Sequence, residues 1–213
     1  MAHGEDREMD GGTLHLALHR VALCFDRPGP ELWQNLRELP ELLQQLSPEI
    51  ASAARSLHQE GENQDTQELL KEYSRLFLGP FQLEAPPFGS VYLESEGRMM
   101  GESTAEAQRI YRESGLEMAP DFESPPDHVV AELEFFAFLG FKELESVQER
   151  DREFFRGKRE QFLQSHIGAW FPSFADKVEE NTQMAFYRDL SRLARRLLEV
   201  ERSELCGAPA VSS

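Results

Sequence analysis

The chain has 213 residues, with 39 Asp and Glu against 22 Lys and Arg, giving a formal net charge of −17 at pH 7. Polyanion binding rests on Lys and Arg neutralising phosphates, so this balance excludes a generic DNA, RNA or anionic-lipid binder and leaves only a local basic patch for such partners. A hydrophobic share of 40% over this length excludes wholesale disorder and lets one domain bury its own core without disulfides or metal.

The first amphipathic face is Leu14, Leu18, Val21 and Phe25, a helix that ends near the Asp-Arg-Pro-Gly-Pro stretch at 26–30. Cys24 lies beside that face as a small buried hydrophobe. Residues 31–60 read as two or three short helices, with Ser47 and Pro48 as N-cap and first helical residue. After a polar break at 61–65, a helix over 66–77 turns Leu69, Leu70, Tyr73, Leu76 and Phe77 inward and stops at Gly79-Pro80. Residues 81–101 are too rich in Pro and Gly for a helix interior and form an aromatic loop, with one short β-like piece at 90–94.

Ser103-Thr104-Ala105-Glu106 is a capping box that opens the next helix, which ends at Gly115 with Ile110 and Tyr111 on the core side. A second Pro-rich loop leads to Ser124-Pro125-Pro126-Asp127 and a helix carrying Val129, Val130, Leu133, Phe136 and Leu139. Residues 142–165 alternate charges densely, as a largely solvated helix or helix pair does, with Phe154, Phe155, Phe162 and Leu163 as its apolar minority. The last helix keeps Phe186, Tyr187, Leu190, Leu193, Ala194, Leu197 and Leu198 on one face and Arg192, Arg195 and Arg196 on the wetter side. There is no repeat of fixed period and no convincing alternating strand. The expectation is an all-α, single globular helical domain of about eight to ten helices over residues 1–205, with a flexible C-terminal tail at 206–213.

Cys24 and Cys206 make neither a disulfide framework nor a metal-knuckle spacing, which suits a reducing compartment. The acidic, polar N-terminus lacks the basic and apolar regions of a secretory signal, and no apolar run approaches the roughly 20 residues that cross a bilayer. A cytoplasmic address without stable membrane insertion follows as an expectation.

Enzymatic signatures are sparse: there is no phosphate-binding Gly-x-x-x-x-Gly-Lys-Ser/Thr, no Gly-x-Gly-x-x-Gly, no His-Glu-x-x-His and no Gly-x-Ser-x-Gly. Of the histidines, only His15 and His19 share a helical spacing; they read as the polar flank of the first helix, and a third metal ligand is missing nearby. Asp127-His128 has two readings. It is half of a hydrolase site, or it is a helix start in which Asp127 completes a capping box with Ser124 and His128 pairs with Glu132 one turn on. Glu132 and Glu134 read either as a solvated face or as part of a receptor. Between Glu117 and Arg150 nine acids, Asp121, Glu123 and Glu143 among them, oppose only Lys142 and Arg150. Such a run serves solubility or receives a cationic peptide. Phe81, Phe88 and Tyr92 of the aromatic loop are lids on the core or lining of a peptide groove.

Taken in register, Tyr73 to Pro80, Ala85-Pro86-Pro87-Phe88-Gly89-Ser90-Val91-Tyr92, Thr104, Tyr111, Gly115 and Pro126-Asp127-His128-Val129-Val130-Ala131-Glu132-Leu133-Glu134-Phe135 resemble the TorD/DmsD family of cytoplasmic chaperones. The likeness continues through His166, Trp170, Pro172, Phe174 and the Phe186-Tyr187 helix, covering roughly residues 66–200, with the first helix fitting less closely. The resemblance implies a chaperone for a molybdenum oxidoreductase exported by the twin-arginine route, one that binds the client's signal peptide and holds back export until molybdopterin is inserted. It implicates Pro125, Asp127 and His128 in signal-peptide recognition, with Phe88 and Tyr92 from the aromatic loop. The apolar core of the leader is expected in a groove beside the Phe88/Tyr92 loop, with its paired arginines at carboxylates including Asp127, Glu132 or Glu134. Branches that mature dimethyl sulfoxide reductase often carry Trp where this chain has Phe88 and Tyr92, and many members carry Met where it has Phe136, so client identity does not follow.

The expected activity is a binding cycle without catalytic residues, metal or a cofactor of its own. Its partners are a twin-arginine signal peptide and the catalytic subunit of a molybdoenzyme, and the chain acts as a monomer or homodimer. The rival readings are an adaptor for a folded catalytic subunit that ignores leaders and a nucleotide hydrolase built on Asp127 and His128.

Overall fold

Helix α1 (Gly11–Cys24) is apolar nearly all round, with Leu14, Ala17, Leu18, Val21, Ala22 and Cys24 buried, and a helix of that composition needs partners on several sides. The computed structural model, which describes residues 11–79, 83–97, 99–117 and 124–207, supplies them. In chain order follow α2 (Pro30–Gln44), α3 (Pro48–Glu62), α4 (Thr66–Tyr73) with a π-turn at Ser74–Leu78, α5 (Ser90–Leu93), α6 (Glu102–Glu113), α7 (Val129–Glu145), α8 (Glu149–Ser165), α9 (Ile167–Asn181) and α10 (Ala185–Gly207). Helices α1, α2, α3, α10, α9, α8 and α7 close a ring in which each packs on the next, and α1 also touches α10. The all-α, single-domain expectation holds. No described helix is long and apolar enough to cross a membrane.

Local chemistry explains many of the helix ends. Pro30 opens α2, Ser47 Oγ accepts from Ile50 N–H at 3.4 Å to start α3, and Asp65 Oδ1 accepts from Gln67 N–H at 2.6 Å to start α4. Gly115, with φ of +84°, takes the left-handed conformation just past α6.

Four local expectations are corrected. The capping box at Ser103 does not form, because α6 starts one residue earlier and both N–H and Oγ of Ser103 donate to Glu94 Oε1, at 2.7 Å each. The β-like piece is the single helical turn α5. The helix expected over 66–77 changes register at Ser74, where Gly79 N–H donates to Ser74 O at 2.7 Å across a wider turn. The last helix runs on through Gly207, two residues into the expected tail, while residues 208–213 lie outside the described ones.

The π-turn is anchored from outside. Glu72 accepts from Arg75 Nε at 2.8 Å, Thr182 Oγ1 at 2.9 Å and Gln183 N–H at 2.6 Å, so one nearly buried carboxylate ties α4 to the α9–α10 connection. Tyr187 extends the tie by donating its hydroxyl to Leu69 O at 3.0 Å while packing edge-on against Phe77.

His15 corrects another expectation: it is buried, not a polar flank. Arg159 Nη1 lies 2.9 Å from His15 Nε2. Arginine can only donate, so Nε2 accepts and the ring proton sits on Nδ1, which faces Glu201 Oε1 at 2.9 Å. Arg159 Nη2 also reaches Glu143 Oε2 at 3.3 Å, so this ionic group joins α1, α7, α8 and α10. Gly140 of α7 makes room for the imidazole, since a β-carbon there would overlap the His15 ring. Gly140→Ala is therefore expected to destabilise by about 2 kcal/mol or more, despite alanine's better helix propensity. Urea denaturation checks this, with Gly157→Ala, in open space on α8, as the control that is unchanged or stabilised.

Candidate functional site

The aromatic loop and the start of α7 are one construction. Phe88 and His128 pair as an isolated antiparallel bridge, Gly89 N–H donates to Asp127 O at 2.8 Å, and Val129 N–H donates to Pro87 O at 2.9 Å. Asp127 Oδ2 then accepts Ser90 N–H at 2.8 Å. Asp127 thus caps the turn α5, 37 residues away in sequence, rather than its own helix. The expected Ser124–Asp127 capping box is replaced. His128 is the cap of α7, its Nδ1 accepting from Val130 N–H at 3.3 Å. Burial, opposed in part by the charges of Asp26 and Asp127, lowers the His128 pKa to about 4, which keeps that nitrogen free to accept. Its ring stands edge-on to Phe88 at 5.4 Å, and it does not pair with the Glu132 side chain.

Behind the junction lies a second buried group. Glu132 is wholly buried: Oε2 accepts Trp170 Nε1–H at 2.7 Å and Oε1 sits 3.6 Å from His166 Nδ1. Burial pushes this carboxyl up, and His166 and Trp170 pull it back. A solvated-face role for Glu132 is therefore corrected. Tyr92 stacks on Trp170 with centroids 5.6 Å apart and donates its hydroxyl to Pro86 O at 2.9 Å. Gly89 is required by this approach, because a β-carbon there would lie 2.8 Å from Trp170 Nε1.

The structure brings Phe88, Tyr92, Asp127, His128 and Glu132 together, but as a packed joint rather than an open acidic surface. Phe88, Pro125 and Pro126 remain partly exposed at its edge. Phe81, Asp121 and Glu123 lie outside the described residues.

Glu134 faces elsewhere. With Ala131, Phe135, Phe138 and Phe141 it forms the face of α7 that lines a groove of about 410 Å³, closed by His19 from α1 and by Tyr111, Leu116 and Glu117 from the end of α6. Tyr111 ties the groove to the joint, donating its hydroxyl to Pro126 O at 2.7 Å while its ring packs 4.3 Å from Phe135. At the mouth, Glu134 Oε1 is 3.5 Å from His19 Nδ1, both side chains about one-third exposed. Burial and the Asp26 charge raise the Glu134 carboxyl, while burial and Arg20 lower the His19 imidazole. The groove was hidden in a helix whose apolar positions all read as core; the signal for it is the excess of apolar residues around α7, more than one face can bury. No group of three or more His, Cys, Asp or Glu suited to a metal ion occurs among the described residues.

Two outcomes test the joint. Asp127→Ala removes the acceptor for Ser90 N–H and is expected to cost about 2 kcal/mol by urea denaturation. For His128 the unfolded chain binds a proton near pH 6.5 that the folded chain refuses until about pH 4. Its contribution to stability is thus full above pH 6.5 and falls across that window, so His128→Asn, which keeps a capping acceptor, flattens the fall in melting temperature between pH 7 and pH 5.

Residues 33–176 match the family described as nitrate reductase delta subunit. The chain is 25% identical over 163 residues to the chaperone protein TorD of Vibrio parahaemolyticus, covering 76% of each chain. It is 33% identical over 137 residues to the Tat proofreading chaperone DmsD of Salmonella typhi, covering 64% of this chain and 62% of that one. A crystal structure described as a redox enzyme maturation protein from Archaeoglobus fulgidus superposes with a TM-score of 0.57 at 26% identity, covering 88% of this chain and 93% of its own. The matched stretch runs from α2 into α9 and carries both the Phe88–His128 joint and the groove along α7, and the chain belongs to the TorD/DmsD family of chaperones.

Proposed function

We propose that this protein is a cytoplasmic chaperone that binds the twin-arginine signal peptide of a molybdopterin-containing oxidoreductase and holds the client back from export until its cofactor is inserted. The observation that carries the reading is the apolar groove along α7 with carboxylates at its rim, on a molecule of net charge −17. A leader of this kind has a short apolar stretch preceded by paired arginines. Its apolar part fits against Leu116, Ala131, Phe135, Phe138 and Phe141, and the negative field attracts its cationic end.

Phe88 and Pro125 extend the contact surface at the end of the groove. Asp127, His128, Glu132 and Tyr92 act as positioning residues: they hold the joint from which Pro126 steadies Tyr111, and so the groove wall. Burying apolar surface at about 25 cal/mol/Å², less the cost of ordering a flexible peptide, supports micromolar or somewhat tighter binding. Such affinity permits release once the client is complete. The cycle forms and breaks no covalent bond.

Titration calorimetry of the full chain with a synthetic twin-arginine leader tests this. The wild-type protein is expected to bind, and Phe138→Glu, at a half-buried position, is expected to weaken binding at least tenfold with little change in melting temperature. A client that co-purifies at full strength after deletion of its leader would favour the adaptor reading instead.

A further inference from the structure

The partly and fully buried carboxylates of the fold differ in what neutralises them. Glu72, Glu143 and Glu179, each mostly buried, are paired with arginines. Glu134, half-buried at the groove mouth, has no Lys or Arg partner among the described residues; its contact is His19 at 3.5 Å. Asp26, just past α1, accepts the N–H of Arg27 and has no Lys or Arg side-chain partner among the described residues, and its charge acts on both Glu134 and His128. The cation beside His19 in sequence is already taken, because Arg20 is held by Glu38 at 2.7 Å and by Asn35 at 3.1 Å. Glu134 therefore stands without a Lys or Arg partner at the mouth of the apolar groove, with the negative charge of Asp26 acting on it, and the imidazole between α1 and α7 supplies no lasting positive charge, since its pKa is lowered. A half-desolvated carboxylate without a cation gains most from a partner that is always charged, weakly hydrated and able to donate two parallel N–H bonds. That describes a guanidinium better than an ammonium.

We propose that Glu134 and Asp26 are the receptor for the paired arginines of the leader, one arginine to each, and that His19 is the placeholder which the guanidinium displaces from Glu134. This rests on the leader-binding reading and adds to it the residues that select arginine. It also gives the site an order: the apolar segment lies along α7 toward Phe141, and the arginines lie at the end nearer the Asp127–His128 joint. Binding then costs little rearrangement, because only the His19 side chain has to move.

Titration calorimetry with two synthetic leaders, Arg-Arg and its Lys-Lys version, separates this inference from the reading beneath it. Wild type is expected to prefer Arg-Arg by about tenfold, and Glu134→Gln and Asp26→Asn are each expected to weaken Arg-Arg binding by about tenfold. In Glu134→Gln the preference over Lys-Lys should shrink to about twofold or less. His19→Lys, which sets a permanent ammonium against Glu134, should weaken Arg-Arg binding about as much as Glu134→Gln does. Thermal melts of each variant confirm folding, and these partly exposed positions should leave it intact. If wild type binds both leaders alike, or if Glu134→Gln and Asp26→Asn bind Arg-Arg as wild type does, the inference is overturned while leader binding stands. If His19→Lys binds as wild type does, the displacement step is overturned. If wild type binds neither leader, the leader-binding reading falls and takes this inference with it.

Discussion

The 2.8 Å bond from Ser90 N–H to Asp127 Oδ2 joins the first residue of α5, at the end of the Pro-rich loop, to the irregular backbone that precedes α7. Backbone groups buried without partners are costly, so a Pro-rich loop can pack against a core only where another segment supplies acceptors and donors. Here the strand-like contact of Phe88 with His128 does so from both sides, and the Asp127 carboxylate completes it. The start of α7 is set by this joint. So is Tyr111, held through Pro126, and with it one wall of the groove. The groove proposed to receive the leader is thus shaped by a polar contact that faces away from solvent.

The excess of negative charge has two destinations. Inside the fold, acids are matched: Glu201 and Glu143 with Arg159 and His15, Glu72 with Arg75, Glu132 with Trp170 and His166. The Glu201–Glu143 and Glu132 groups link helices that are distant in sequence, as Glu72 does through Thr182 and Gln183, and removing one partner would strand the other in a medium of low polarity. Outside, several acids pair with Lys or Arg, but the 39 acids outnumber the 22 cations, and that excess costs some stability through mutual repulsion and raises the local concentration of cationic ligands. The proposed cycle of attracting a basic leader and later releasing it is served by that division, since a surface carboxylate adds to encounter without adding irreversible affinity.

Most helices were legible from local rules. Ser47 and Pro48 start α3 as their chemistry dictates, and the spacing of Leu190, Leu193, Leu197 and Leu198 marks α10. The local rules failed where a distant group outbid a near one. Ser103 gives both donors to Glu94 and so leaves its capping box, while Asp127 caps α5 across 37 residues and leaves α7 to His128. His15 looked like solvent-facing polarity until Arg159 and Glu201 met it from α8 and α10.

By itself the sequence determined the helical class, the single domain, the acidic balance and the family, because periodicity, composition and motif order are properties of the chain read along its length. Only the tertiary structure decided which acids are free. Asp127, Glu132 and Glu134 are near neighbours in sequence, yet the first two are consumed in holding the joint and the third stands at the mouth of an apolar groove. Whether a carboxylate serves the fold or a ligand depends on what other segments bring within about 3 Å of it, and that is fixed by packing in three dimensions.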